Sequence, residues 1–173
     1  LDKPCKRPSF VQSTRLGIKA KLRLLAFYIE CHYMPLIRLV YASQFASPFN
    51  EQDAQDIIEV SMRNNRKHDI TGVLCYSNYY YLQCLEGGRD EVNHLYQKIA
   101  MDKRHVRPVI LMYQDILYRQ FDDWYMGHIP AMNISGGMVL KYSRERQFNP
   151  YSMTPQSAYE FLVELSRVNA VLE

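Results

Sequence analysis

The segment Tyr79–Glu86 is apolar or aromatic on both of its alternating faces. As a strand it points Tyr79, Tyr81, Gln83 and Leu85 one way and Tyr80, Leu82, Cys84 and Glu86 the other. A half-exposed antiparallel strand carries polar residues on its wet side, so this one belongs inside a sheet covered on both faces. The chain around it predicts strands at Leu36–Ala42 and Ile70–Tyr76 before it, and at Val109–Ile116 and Trp124–Ile129 after it. Helices are predicted at Glu51–Arg66 and from Gly87-Gly88 to Lys103. Their apolar residues recur near every 3.6 positions: Ala54, Ile57, Ile58 and Met62 on the first, Val92, Leu95, Tyr96 and Ile99 on the second. Asn50 suits the first N-cap, with Asp53 and Asp56 in or near the first turn, where the helix dipole favours acids.

The order β-α-β-β-α-β-β is α+β and begins as the split βαβ pattern of a ferredoxin-like sandwich, two helices on one face of a mostly antiparallel sheet. The other face needs its own cover. A last helix, capped by Thr154 and opened by Pro155, carries an apolar stripe of Ala158, Phe161, Leu162, Leu165 and Val168 and is the nearest candidate. A partner subunit is the next.

A length of 173 residues suits one domain and needs no disulfide or metal to fold. The net charge of +3 is unevenly placed: residues 1–33 carry +5, leaving −2 for the rest, so the body offers no basic patch for nucleic acid. Residues 1–33 form a basic leader of a different kind. The reading that fits best starts the native protein at Met34, with the leader a cloning scar or upstream reading frame, not native or not ordered. A targeting presequence and a regulatory extension are the alternatives. The domains expected are then 34–132 for the sandwich and 133–173 for a C-terminal helical extension. The six-residue apolar run Leu24–Ile29 is far short of a membrane span, so no membrane association is expected.

Cys5 and Cys31 fall in the leader. A two-residue turn at Ser77-Asn78 would set Cys75 opposite Tyr80 and Cys84 opposite Thr71, so no bridge is expected between the two thiols. No CxxC and no His pair at metal-ligand spacing occurs. Reduced cysteines fit a cytoplasmic protein. Phosphate-cradling GxxxxGK, GxGxxG, GxSxG and HExxH are all missing, and the chain is not expected to be an enzyme.

Three polar residues sit where the pattern calls for apolar ones. Tyr41 shares a face with Ile37 and Leu39, Gln83 interrupts an apolar strand, and Asn65 follows Asn64 at the end of the first helix. The topology puts the first and third strands side by side at the sheet centre, so Tyr41 and Gln83 can meet beneath the helix pair. The amide either satisfies the phenol and nearby backbone, or the two face a planar polar ligand held between the helices. Ile57 and Ser61 on the first helix, and Ile99 and Asp102 on the second, would then form a slot for a flat ring and a polar tail. Asn64-Asn65 can equally be a plain helix C-terminus, and Lys98 with Asp102 a surface ion pair. Trp124 and Met126 read as core.

Several segments agree in order and spacing with one known family. They are Leu39-Val40-Tyr41-Ala42-Ser43; Arg63-Asn64-Asn65 followed by Ile70–Tyr76; Leu82-Gln83-Cys84-Leu85-Glu86-Gly87; Asp102-Lys103-Arg104-His105; and Phe121 with Trp124-Tyr125-Met126. Over Leu36–Met132 the chain resembles the BLUF family, blue-light photoreceptors that use FAD. Its tail, Leu140-Lys141-Tyr142-Ser143 and Ser152-Met153-Thr154-Pro155, is similar to that of the short PixD-type members.

The resemblance implies roles residue by residue. Tyr41 matches the redox-active tyrosine, Gln83 the glutamine between it and the flavin, and Asn65 the asparagine at the flavin's carbonyl edge. Ile57 and Ile99 match residues that sandwich the ring. Ser61, Asn64, Lys98, Asp102 and His105 match positions near the ring edge or the ribityl-phosphate tail, and Trp124 and Met126 the strand-five pair tied to signal output. Lys98 stands where relatives often have Arg, Tyr81 where Phe is usual (a packing change or a second electron donor), and Tyr125 where a small residue is common.

The implied mechanism is light-driven transfer of an electron and then a proton from Tyr41 through Gln83, leaving the glutamine rotated or tautomerised and newly bonded to the flavin carbonyl. PixD-type relatives form ring-like homo-oligomers and bind a response-regulator-like partner in a light-dependent way. A non-photoactive interaction module that has lost flavin is the alternative. An acylphosphatase-like hydrolase on the same fold is disfavoured, because Ala42–Ala46 offers neither Gly nor Arg to cradle phosphate.

Overall fold

Strand β1 (Leu36–Phe45) runs up the middle of the sheet, buried from Ile37 to Ser43. The computed structural model describes residues 18, 35–46, 51–122, 124–131 and 134–170, with side chains from residue 55 in the first helix and up to 168 in the last. The chain divides into two units, Leu1–Met34 and Pro35–Glu173, and every element below belongs to the second. The expectations placed on residues 1–33, on the Asn50 cap, and on the side chains of Asp53 and Ala54 lie outside the described residues.

After β1 come α1 (Glu51–Lys67), β2 (Thr71–Tyr76), β3 (Tyr80–Gly88), α2 (Arg89–Met101), β4 (His105–Ile116) and β5 (Gly127–Pro130). The C-terminal part adds α3 (Gly136–Tyr142), a 3₁₀ turn at Pro150–Ser152, and α4 (Pro155–Ala170). The sheet order is β4-β1-β3-β2-β5; β1 pairs antiparallel with β3 and β4, β2 antiparallel with β3, and β5 parallel to β2. The fold is α+β and ferredoxin-like, with β1 and β3 adjacent as the split βαβ order predicts.

Alternation along the strands splits the core in two. Ile37, Leu39, Tyr41, Leu74, Tyr81 and Leu85 face Ile58 of α1 and Val92 of α2. Val40, Val73, Cys75, Leu82 and Cys84 face the other way and pack with Phe161, Leu162 and Leu165 of α4. The cover on the back face is therefore α4, opened by Pro155 with the Thr154 Oγ1 accepting from Ser157 N at 3.1 Å. Burying each of those three side chains stabilises by about 1.5–3 kcal/mol. The stripe ends there: Val168 is 46% exposed. Met62, 47% exposed, also leaves the expected core, because the inward direction of α1 runs between Ile58, Ser61 and Asn65.

The β2–β3 turn differs from expectation. Tyr76 pairs with Tyr81 and Cys75 with Leu82, so the turn is centred on Asn78-Tyr79, one residue later. Ser77 causes the shift: its Oγ accepts from Tyr79 N at 3.2 Å and Tyr80 N at 3.1 Å, and its own N–H donates to Tyr80 O at 2.9 Å. Moving the turn by one slides the pairing by two, which preserves the faces. Cys75 and Cys84 are both free and buried, and burial pushes both thiols up.

β4 is longer than expected and irregular. Its register against β1 slips between Val40 and Tyr41 and between Ala42 and Gln44, and Arg107 takes φ 51°. The two register slips and Pro108 blunt this edge strand against pairing with another chain. No helix among the described residues is long and apolar enough to cross a membrane.

Candidate functional site

The β1–β3 register makes Tyr41 and Gln83 direct cross-strand partners on the face beneath α1 and α2. Tyr41 is 1% exposed and Gln83 4%. The Tyr41 hydroxyl donates to Gln83 Oε1. The amide nitrogen, Nε2, donates to Met126 Sδ at 3.1 Å. One side chain thus joins a phenol on β1 to a thioether just before β5. Sulfur is a weak acceptor, so the amide is well bonded on its oxygen and poorly bonded on its nitrogen.

Around Tyr41 the aromatic rings are close. Tyr96 of α2 meets it edge-on at 5.4 Å between centroids, and His105 at the start of β4 lies at 6.5 Å. His105 also lies 4.5 Å from the Tyr81 ring, which stacks on Phe45 at 3.9 Å. His105 Nδ1 is 2.8 Å from Ser43 Oγ. Burial pushes the Tyr41 phenol well above its usual range, with Tyr81, Tyr96 and Asp102 adding to the effect. Burial also lowers His105 to about 4, against the opposing pull of Asp102, so the imidazole is neutral at pH 7.

The remaining expected residues fall into place as follows. Asn65, 1% exposed at the end of α1, donates from Nδ2 to Tyr125 O at 2.8 Å. Ile57 and Ile99 pack half-buried against the front cluster, one from each helix, and Ser61 lies half-buried on α1. Asn64, Asn65 and Lys98 line a cavity of about 380 Å³ between α1 and α2, together with His68, Ile70, Asp90, Glu91, His94 and Leu95. Tyr41 and Gln83 do not line it; Asn65 and Ile70 are the link between this cavity and the core. Asp102 does not pair with Lys98. Arg104 takes it, with Nη2 2.5 Å from Oδ2, and holds the carboxyl down at about 2. The Arg104 backbone N–H also donates to Asp102 Oδ1, so two residues of separation suffice for a chelate that a turn of helix does not offer.

Trp124 and Met126 precede β5, which begins only at Gly127. Gly72 N donates to Trp124 O at 2.8 Å, and Asn65 holds Tyr125 O, so this stretch is bound to β2 and α1 before the ladder starts. Met126 is buried in the front cluster and Trp124 is half-buried against the back one, so the two face opposite sides. Tyr125 has a neighbour of its own: the Arg66 guanidinium lies 5.7 Å from its ring centroid.

Sequence reasoning missed the backbone acceptor on Tyr125, the Tyr96 ring against Tyr41, and the buried pair Arg38–Glu86 on the back of the sheet. The first two depend on the path of 119–126 and the tilt of α2, for which periodicity carries no signal. The third follows from the register that joins Tyr41 to Gln83, three positions along.

Apolar walls from Ile57 and Ile99, amide groups from Asn65 and Gln83, and a polar cavity alongside suit a flat heteroaromatic ring with a carbonyl edge and a polar tail, as FAD has. Gln83 Nε2 in particular is a buried donor whose present acceptor is sulfur. Lys98 and Asn64 bring hydrogen-bonding groups to the cavity wall, and Arg104 pairs with the Asp102 carboxylate.

Comparison with known proteins gives the same answer. Residues 36–127 match the family described as BLUF, sensors of blue-light using FAD. The photoactivated adenylate cyclase subunit beta of Euglena longa is 31% identical over 134 residues, which are 74% of this chain and 16% of that protein. The blue light- and temperature-regulated antirepressor BluF of Escherichia coli K12 is 29% identical over 77 residues, 44% of this chain and 19% of that one. The structure of BlsA in its photo-activated state superimposes with a TM-score of 0.66 at 33% identity, covering 75% of this chain and 94% of that one. The chain belongs to the BLUF family of flavin-binding blue-light sensors.

Proposed function

We propose that this chain is a non-enzymatic blue-light receptor whose photochemical relay is Tyr41–Gln83, and that it signals through Met126, Trp124 and the C-terminal helices to a protein partner. The observation that carries the reading is the Gln83 amide, bonded by its oxygen to Tyr41 and by its nitrogen to Met126.

FAD, when bound, supplies the light absorption and the electron acceptor. Asn65 and Gln83 hold its carbonyl edge, Ile57 and Ile99 its faces, and Ser61, Asn64, Lys98, Asp102 and His105 its ring margin and tail. Tyr41 stays a neutral phenol at any ordinary pH because burial opposes the phenolate. It therefore gives up its proton only once it has given up an electron, which makes a phenol strongly acidic. That proton has a ready acceptor, Gln83 Oε1, to which the hydroxyl already donates. In the present orientation of the amide its nitrogen meets a thioether, a weak acceptor; turned over, Oε1 would leave Tyr41 and the nitrogen would take the phenol oxygen as its acceptor. Proton transfer onto Oε1 lowers the barrier to that turn or to the equivalent tautomer, and return of the electron and a proton to Tyr41 then restores the phenol, so nothing is consumed.

Movement of the amide changes the contact to Met126 directly, and Met126 lies next to Gly127, where β5 begins. A two-state shift of residues 124–127 would then bias the helices packed on the back of the sheet. The name of the antirepressor relative describes action on another protein, and the tail similarity to PixD-type members points to a homo-oligomer with a response-regulator-like partner.

The test is the absorbance of FAD-loaded protein before and after blue light. A red shift that decays in darkness is expected, lost in Tyr41→Phe and Gln83→Leu. A wild-type protein that binds FAD with unchanged spectrum under illumination overturns the reading; one that takes up no FAD returns the chain to the interaction-module alternative.

A further inference from the structure

The back face of the sheet holds a buried charge pair that the photochemistry does not use. Arg38 and Glu86 are cross-strand partners on β1 and β3, three positions from Tyr41 and Gln83 and so on the opposite face. Glu86 is 0% exposed and Arg38 7%. Arg38 donates from Nε to Glu86 Oε1 at 2.7 Å, and its Nη2 lies 2.7 Å from the same oxygen. The other oxygen, Oε2, accepts from the backbone N–H of Gln120 at 2.7 Å and of Phe121 at 3.1 Å. The Arg38 guanidinium lies 4.1 Å above the Tyr159 ring of α4. Next door, Arg119 donates to Glu86 O at 3.1 Å and to Thr71 Oγ1 at 3.2 Å.

A dry ion pair is a poor stability device, because the desolvation of two charges offsets their attraction and an apolar pair of similar volume often does as well. What an apolar pair cannot do is accept two backbone N–H groups. Those two belong to the start of the segment that, a few residues on, presents Trp124 to the back cluster and Met126 to Gln83. The second thing it cannot do is bring a cation over Tyr159. One carboxylate and its arginine therefore touch three elements: the central strands, segment 119–126 and the last helix.

We propose that Arg38 and Glu86 are positioning residues: Glu86 is the anchor that sets segment 119–126 against the sheet, and Arg38 ties that anchor to α4 through Tyr159, so that a displacement at Met126 is delivered to the last helix. The anchoring half stands whatever occupies the cavity. The delivery half rests on the photoreceptor reading.

Trp124 is the single tryptophan of the chain, so its emission reports the anchored segment directly. In the double variant Arg38→Met/Glu86→Leu, Trp124 emission shifts to the red and amide exchange at Gln120 and Phe121 speeds up by about tenfold or more, with the far-UV circular dichroism of the folded protein kept. In Arg38→Met/Glu86→Gln the amide oxygen still accepts both N–H groups, and emission and exchange return to wild type. Unchanged emission and exchange in the Leu variant overturn the anchor. Should that variant not fold, wild-type exchange decides: Gln120 and Phe121 amides must be protected like core amides, and exchange at the rate of exposed loops overturns the anchor equally. For delivery, Tyr159→Leu in FAD-loaded protein keeps the light-induced absorbance shift but loses the light-induced change in α4 amide exchange. An α4 response that survives in Tyr159→Leu overturns the coupling, whereas a wild type without an absorbance shift fails the photoreceptor reading and leaves the anchor to its own test.

Discussion

Gln83 Nε2 reaches Met126 Sδ at 3.1 Å while its Oε1 accepts from Tyr41, so one amide is held between a strong partner and a weak one. Removing the strong partner tests the relay. Tyr41→Phe leaves Gln83 Oε1 without that donor in a buried site, at a cost of about 1–3 kcal/mol. Thermal unfolding should show a fall of that size with unchanged far-UV circular dichroism, and the light-induced absorbance shift should vanish. A normal photocycle in Tyr41→Phe removes the phenol from the mechanism.

Removing the weak partner separates packing from hydrogen bonding. Met126 is 3% exposed, and Met126→Ala should cost about 2–5 kcal/mol through the cavity it leaves. Met126→Leu nearly conserves volume and should cost less than about 1.5 kcal/mol. It also takes away the Nε2 acceptor seen among the described residues, so only the bond from Tyr41 still holds the amide in its present orientation. The dark-state flavin spectrum and the dark-recovery rate should therefore change in Met126→Leu despite its near-native stability. Identical spectra and recovery in both proteins count against a role for the sulfur.

The Tyr41–Gln83 pair was legible because strand alternation is a two-residue period, and two polar residues on an apolar face stand out against it. The same register places Arg38 against Glu86, but a charged residue on a strand reads as solvent-facing until the opposite face is known to be covered. The hairpin register lies two positions from the one the turn residues suggest, because the balance between Ser77-Asn78 and Asn78-Tyr79 hangs on a single Ser77 hydroxyl. The start of β4 was hidden by Pro108 and by the left-handed backbone at Arg107, which break the pattern without ending the strand. The path of Trp124–Met126 is set by hydrogen bonds to Gly72 N and from the Asn65 side chain, contacts about fifty and sixty residues away in sequence that leave no local trace.

His105 gives a pH prediction. Burial lowers it from 6.5 to about 4, so between those values the unfolded chain binds a proton that the folded one does not. Stability is then complete above about pH 6.5 and falls as pH drops toward 4, by about 3 kcal/mol at roughly 1.4 kcal/mol per pK unit. Asp102, held at about 2, begins to lose its contribution only below its ordinary 3.8, so the two windows separate. Urea titrations from pH 7 to 4 should show this loss in wild type and a flatter profile in His105→Phe. Parallel profiles would mean the imidazole is charged in the folded protein.

Gly127 sets where Trp124 sits. A Cβ there would lie 2.0 Å from Trp124 Cε3 and 2.5 Å from Cζ3, so alanine cannot be added without moving the ring. The backbone cannot yield, since Gly72 N holds Trp124 O and β5 pairs with β2 from Gly127 onward. The indole must therefore swing away from the back cluster, where it is half-buried. Gly127→Ala should cost about 1–3 kcal/mol by overpacking, with Trp124 emission shifted to the red. Gly137→Ala is the control. A Cβ there meets only Ser135 Oγ at 3.8 Å, and α3 should gain about 0.5–1 kcal/mol with emission unchanged. If Gly127→Ala keeps both the emission maximum and the stability of wild type, the indole does not rest on that glycine, and the output segment is held differently from the arrangement described.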